Sequence, residues 1–185
     1  MSFYGSDEEE RLTKPVTEHD HIRGRTDAPM TLVEYGDYEC PACGAAYPLT
    51  ESLVEELGDD LRFVFRHFPL ANMHPHAEHA AEAAEAAGAQ RRYWEMHDLL
   101  FRNQDALEDE DLVRYAASLG LTLRPFIDAL ANEKYAAKIH DDFRSGVRSG
   151  VNGTPTFFVN DIRYDGPRDL QAMAIALNNT AHARH

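Results

Sequence analysis

The chain has 185 residues, 43% of them hydrophobic, with 11 glycines and two cysteines; it is long enough to bury a core of its own and lies outside the disordered, collagen-like and disulfide-scaffold classes. Thirty-two acidic against 18 basic residues leave a formal charge of -14, which repels phosphate backbones, so nucleic acid is not an expected partner. No apolar run approaches the roughly 18 residues of a membrane span, and Ser6-Asp7-Glu8-Glu9-Glu10 stands where a secretory signal would be basic and then apolar, so no membrane insertion and a cytoplasmic location are expected.

Residues 1–27 are charged and show no sustained apolar period, which reads as a flexible or loosely docked N-terminal arm. Met30 to Tyr35 is apolar apart from Thr31 and Glu34, the pattern of a central strand covered on both faces. Gly36-Asp37-Tyr38-Glu39 breaks that strand. From Cys43 to Leu57 the apolar positions Leu49, Leu53, Val54 and Leu57 share one helical face, and Gly58 suits a left-handed cap. Leu61 to Arg66 reads as a second strand, parallel to the first, completing a βαβ unit.

His74 to Gly146 is Ala-rich and punctuated at Gly88, Gly120 and Pro125, giving four or five helices. In two of them Leu112, Ala116 and Leu119, and Ile139, Phe143 and Val147, recur at helical spacing. Thr156–Val159, a turn at Asn160-Asp161, and Ile162–Tyr164 form a hairpin. A final helix follows Pro167, with Leu170, Met173, Ala174 and Leu177 on its buried face.

The chemistry concentrates at Cys40-Pro41-Ala42-Cys43. Cys40 falls at the start of a helix, where free backbone N–H groups and the positive dipole end favour a thiolate; Pro41 suits the first helical turn because its missing N–H costs nothing there. An exposed Cys40 would attack a disulfide, and Cys43, one turn inward, would displace the mixed disulfide. Taken alone, a CxxC pair is as often half of a zinc site, but no second CxxC completes one. His67, His74, His76 and His79 could supply nitrogens to zinc, yet His74, His76 and His79 at the entrance of a helix read more simply as a solvated face, and neither metal nor cofactor is expected. Asp37 and Glu39 put negative charge beside Cys40, and Ala42 adds no positive charge between the cysteines, which argues against a strongly oxidising couple.

The dithiol within Glu34–Cys43, the helical insertion, and Gly153-Thr154-Pro155-Thr156 before a strand together resemble the thioredoxin superfamily, and within it the DsbA-like thiol-disulfide oxidoreductases. The resemblance implies an α/β thioredoxin fold, a central mixed sheet flanked by helices, with an inserted all-helical subdomain. Segments follow: 28–73 as its first half, 74–149 as the insertion and 150–185 as the second half. It further implies that the Thr154–Pro155 bond is cis, that this loop faces the dithiol and that the Thr154 backbone pairs with an extended substrate. Glu34 matches the buried acid that exchanges a proton with the second cysteine; a solvent-facing strand residue is the other reading. Protein thiols and disulfides, with a redox partner, are the implied partners. The competing reading is a client-binding or holdase-like module whose CxxC is incidental or binds zinc.

Overall fold

The computed structural model describes residues 9–182. Seven helices surround a five-stranded sheet: β1 (Ile22–Arg23), β2 (Met30–Gly36), α1 (Pro41–Leu57), β3 (Leu61–His67), α2 (Ala77–Gly88), α3 (Tyr93–Arg102), α4 (Asp109–Ser118), α5 (Leu123–Ala131), α6 (Ala136–Arg148), β4 (Thr156–Val159), β5 (Ile162–Tyr164) and α7 (Leu170–His182), with a single 3₁₀ turn at Gly58–Asp60. The strand order is β1-β3-β2-β4-β5. β2 lies at its centre, parallel to β3 and antiparallel to β4, and all seven of its residues are buried. This is the α/β thioredoxin fold with the α2–α6 insertion, the architecture expected from the sequence.

Because strand side chains alternate, β2 feeds two cores. Leu32 joins Phe63, Phe65 and Phe157 beneath α1, α3 and α7. Val33 and Tyr35 join Val64 and Phe158 on the opposite face, which Phe143 of α6 and Leu12, Val16 and Ile22 of the N-terminal segment cover. That segment is therefore part of the fold. Residues 9–27 are docked, which of the two expectations, a flexible or a loosely docked arm, leaves the docked one, while residues 1–8, with the Ser6-Asp7-Glu8 run, lie outside the described residues. The reason is Arg66. Fully buried, it sends Nε and Nη2 to the Asp20 carboxylate (2.9 and 3.0 Å), Nη1 to the Lys14 carbonyl (2.8 Å) and Nη2 to the Pro15 carbonyl (3.1 Å). A buried guanidinium needs such a set of acceptors, and here the N-terminal segment supplies them.

α1 ends as the sequence indicates, at Gly58, but with φ 49° and ψ -124°; this is outside the left-handed helical well, in a region that glycine alone enters readily. In the insertion, α2 is the hub. Its alanines are buried on nearly all sides, and their small side chains admit α3, α4, α5 and α6 closely. On α6, Ile139 is buried and Phe143 partly so, whereas Val147, expected on the same face, is exposed.

Candidate active site

Cys40 is the N-cap residue of α1 and Pro41 its first helical residue. The turn before it is fixed by the Cys40 N–H, which donates to the Asp37 carbonyl at 3.1 Å. Contrary to the exposed position expected, Cys40 is only 6% exposed, and Cys43 is fully buried. Both cysteines are free thiols. The peptide bond between Thr154 and Pro155 is cis, and this loop faces the dithiol across 114 positions of sequence: the Cys40 thiol donates to the Thr154 carbonyl at 3.6 Å. Arg168 donates to the Pro155 carbonyl at 3.1 Å and ties the loop to the approach to α7.

The two sulfurs differ in charge preference. As a thiolate, Cys40 gains a hydrogen bond from the Cys43 thiol, which outweighs the cost of burial; the Thr154 hydroxyl and the backbone N–H groups of Cys43 and Ala42 help, and the thiol comes down to about 5. Burial pushes the Cys43 thiol far up, and its bond to Cys40 and the nearby Glu34 carboxyl push the same way, while the Asp37 N–H at 3.5 Å opposes them. Glu34 is 2% exposed, so the solvent-facing reading falls. It lies two residues beyond Leu32 and so on the face toward α1. Burial raises its carboxyl to about 8, against the field of Arg168.

Asp37 and Glu39, expected to oppose a thiolate, are both engaged. The Asp37 carboxylate accepts the N–H groups of Glu39 (2.8 Å) and Leu70 (2.9 Å) and pairs with His74 Nδ1 at 2.7 Å. Glu39 accepts the His76 N–H (2.7 Å) and pairs with its Nδ1 (2.9 Å). His79 pairs with Asp109, and buried His67 with Glu85 at 2.8 Å. These histidines are counter-groups to carboxylates on other elements; His76 and His79 remain well exposed, as a solvated face would be, whereas His74 is mostly buried, which corrects its reading. Among the described residues no group of three or more His, Cys, Asp or Glu is arranged to hold a metal ion.

Gln104, in the loop after α3, went unrecognised in the sequence. Its Nε2 donates to the carbonyls of Tyr38 (2.9 Å) and Cys40 (2.8 Å), joining the insertion to the dithiol turn. The one available signal was Gly44: a Cβ there would fall 2.0 Å from Gln104 Oε1, so the glycine makes room for the amide.

A sheet of this order, a CxxC dithiol at the start of α1 and a cis-proline loop opposite it define a DsbA-like member of the thioredoxin-fold class. The chain belongs to the thioredoxin family, which it matches over residues 16–179. A thioredoxin-like oxidoreductase from Silicibacter pomeroyi DSS-3 superposes with a TM-score of 0.80 at 25% identity, covering 90% of this chain and 94% of that one. Oxidised BdbD from Bacillus subtilis gives 0.78 at 22% identity, over 94% of this chain and 99% of that one, a likeness of fold alone. The Na+/H+ antiporter NhaA 3 of Salinispora tropica is 48% identical over 167 residues, which is 90% of this chain and 26% of that protein. The chain thus spans about a quarter of the length of the curated relatives it matches. These relatives overturn the cytoplasmic expectation, because they are antiporters and so membrane-associated. No helix among the described residues is itself long and apolar enough to cross a membrane.

Proposed function

We propose that the protein is a thiol-disulfide oxidoreductase that exchanges disulfides with protein substrates through Cys40 and Cys43. The observation that carries this is the geometry of the pair: Cys40 caps α1 and faces the Thr154-Pro155 loop at 3.6 Å while Cys43 is fully buried one turn inward, an arrangement that brings the Cys40 thiol down to about 5 and keeps the Cys43 thiol protonated. The Cys40 thiolate attacks a substrate disulfide, forming a mixed disulfide and expelling one substrate thiolate. Cys43 then loses its proton to the Glu34 carboxylate and attacks the Cys40 sulfur. That step expels the second substrate thiolate, leaves the Cys40–Cys43 disulfide and transfers two electrons to the substrate. The same steps reversed donate a disulfide. Thr154 and Pro155 form the substrate-facing wall, where the Thr154 backbone pairs with an extended peptide, and Pro41 and Ala42 shape the turn.

With its carboxyl near 8, Glu34 is populated in both protonation states around neutrality, which suits it to this transfer. The partners are protein thiols, among which we count those of a membrane transporter, given the antiporter relatives. Insulin reduction by dithiothreitol tests the proposal. Acceleration by the wild type, lost in Cys40→Ser, with mixed disulfides accumulating in Cys43→Ser, is expected. Wild-type protein that leaves the uncatalysed rate unchanged would overturn it.

A further inference from the structure

Two acids border the dithiol turn, and neither is free. Asp37 touches both cysteines through its main chain: its carbonyl accepts the Cys40 N–H at 3.1 Å, and its N–H points at Cys43 Sγ at 3.5 Å. Its carboxylate is completely buried, so its charge acts on the sulfurs with little screening by water. Glu39 immediately precedes Cys40. One short segment ahead of α2 supplies a counter-group to each, His74 to Asp37 and His76 to Glu39, but their settings differ. The His74 side chain is 14% exposed and the His76 side chain 40%.

We propose that His74 is a positioning residue for the dithiol: as an imidazolium bonded to Asp37, it cancels the field of that buried carboxylate at Cys40, and its deprotonation restores the field. This rests on the disulfide-exchange reading of the same site. The residue between the cysteines that could have carried a positive charge is Ala42, so compensation comes from 37 positions along the chain from Asp37. The groups that face His74 are Asp37, Cys40 and Glu39; Glu39 is itself paired with His76. Burial disfavours the His74 charge, but Asp37 first, then the Cys40 thiolate and Glu39, outweigh it and keep the ring protonated to higher pH than free imidazole. By reciprocity, a thiolate that favours the imidazolium is favoured by it to the same extent.

The test is the pH profile of iodoacetamide alkylation at Cys40 in the reduced full chain. His74→Gln keeps an N–H donor for Asp37 and removes the charge, whereas His74→Lys keeps a cation. The Gln variant is expected to move the midpoint up by about one pH unit, so that at pH 5 Cys40 reacts about fivefold more slowly. The Lys variant should stay within about twofold of wild type. The glutathione equilibrium should shift with the profile, the Gln variant favouring its reduced form less than wild type does. A Gln profile that coincides with wild type, or a Lys variant that behaves like Gln, overturns the proposal.

If His74→Gln does not fold, NMR titration of the His74 ring in wild-type and Cys40→Ser proteins decides: the ring should lose its proton at lower pH once the thiolate is gone, and an unchanged titration overturns the proposal. Failure of the function itself is read separately. An inactive wild type in insulin reduction defeats the exchange reading, while the alkylation profile still decides the role of His74.

Discussion

Glu34 makes the fold pay for its proton, and the cost has a calculable pH dependence. In the unfolded chain a glutamate gives up its proton near 4.5, but here burial holds it to about 8. Between those values the native state binds a proton that the unfolded state has released, so stability must fall as pH rises. The slope is about 1.4 kcal/mol per pH unit, which makes the penalty roughly 3 kcal/mol at pH 7, levelling near 5 kcal/mol above pH 8. Replacing Glu34 by Gln removes the titration while preserving shape. Glu34 Oε1 is buried with no hydrogen-bond partner, so the Gln amide inherits a pH-independent desolvation cost of about 1 to 3 kcal/mol.

The informative quantity is therefore the difference between the two proteins as a function of pH. Urea unfolding of the reduced proteins at pH 4.5, 6, 7 and 8 measures it. The Gln variant should gain on wild type by about 3 kcal/mol between pH 4.5 and 7. Parallel stability curves would refute the reasoning, showing that Glu34 ionises normally in the fold and cannot serve as the acceptor proposed for the Cys43 proton.

Three further outcomes are expected. In the reduced protein at neutral pH, iodoacetamide should modify Cys40 far faster than Cys43, because only Cys40 is substantially thiolate; mass spectrometry of the peptides checks the order, and equal rates would remove the basis for unequal roles. Asp20→Asn should destabilise the chain by about 3 to 5 kcal/mol in denaturant melts, since it leaves the buried Arg66 guanidinium without its counter-ion, whereas a loss under 1 kcal/mol would mean that the N-terminal segment is weakly held. Gly44→Ala should displace the Gln104 amide, so a double-mutant cycle with Gln104→Ala should be non-additive, while additive losses would show that the two do not compete for the same space.

Legibility in the sequence followed the range of the interactions. β2 and β3 were readable because apolar runs record burial locally, and their parallel pairing follows from a helix intervening between them, whereas the register Met30↔Leu61 through Gly36↔His67 is seen only in the fold. The dithiol and the Thr154-Pro155 loop were readable because each is a short motif, although only the fold brings them to 3.6 Å. What escaped reading are polar residues whose partners lie far away in the chain. Residues 9–27 look like a solvated arm in composition, yet Asp20 and the Lys14 and Pro15 carbonyls satisfy a buried Arg66 some 46 to 52 positions on. No local pattern announces that an arginine in a strand will be buried, and once it is, the charged segment becomes the one thing that cannot leave.

The same distinction resolves the conflict between an acidic chain and a nucleophilic thiol. A net charge of -14 suggests a field hostile to any thiolate. Most of that charge lies at the surface, where ions screen it over about 8 to 10 Å. The groups that decide the state of Cys40 act at short range in a site water scarcely enters, chief among them the Cys43 thiol and two helix-terminal N–H groups. Of the three acids around it, Glu34 is neutralised by its own burial, and Asp37 and Glu39 are each bonded to a histidine. The charge that matters at the sulfur is thus set by groups bonded at or beside the dithiol turn. For that reason the site should respond to pH more steeply than to salt: raising ionic strength should leave the Cys40 alkylation midpoint nearly fixed, and a midpoint that climbs or falls by a full pH unit between low and high salt would show that the distant surface acids control it after all.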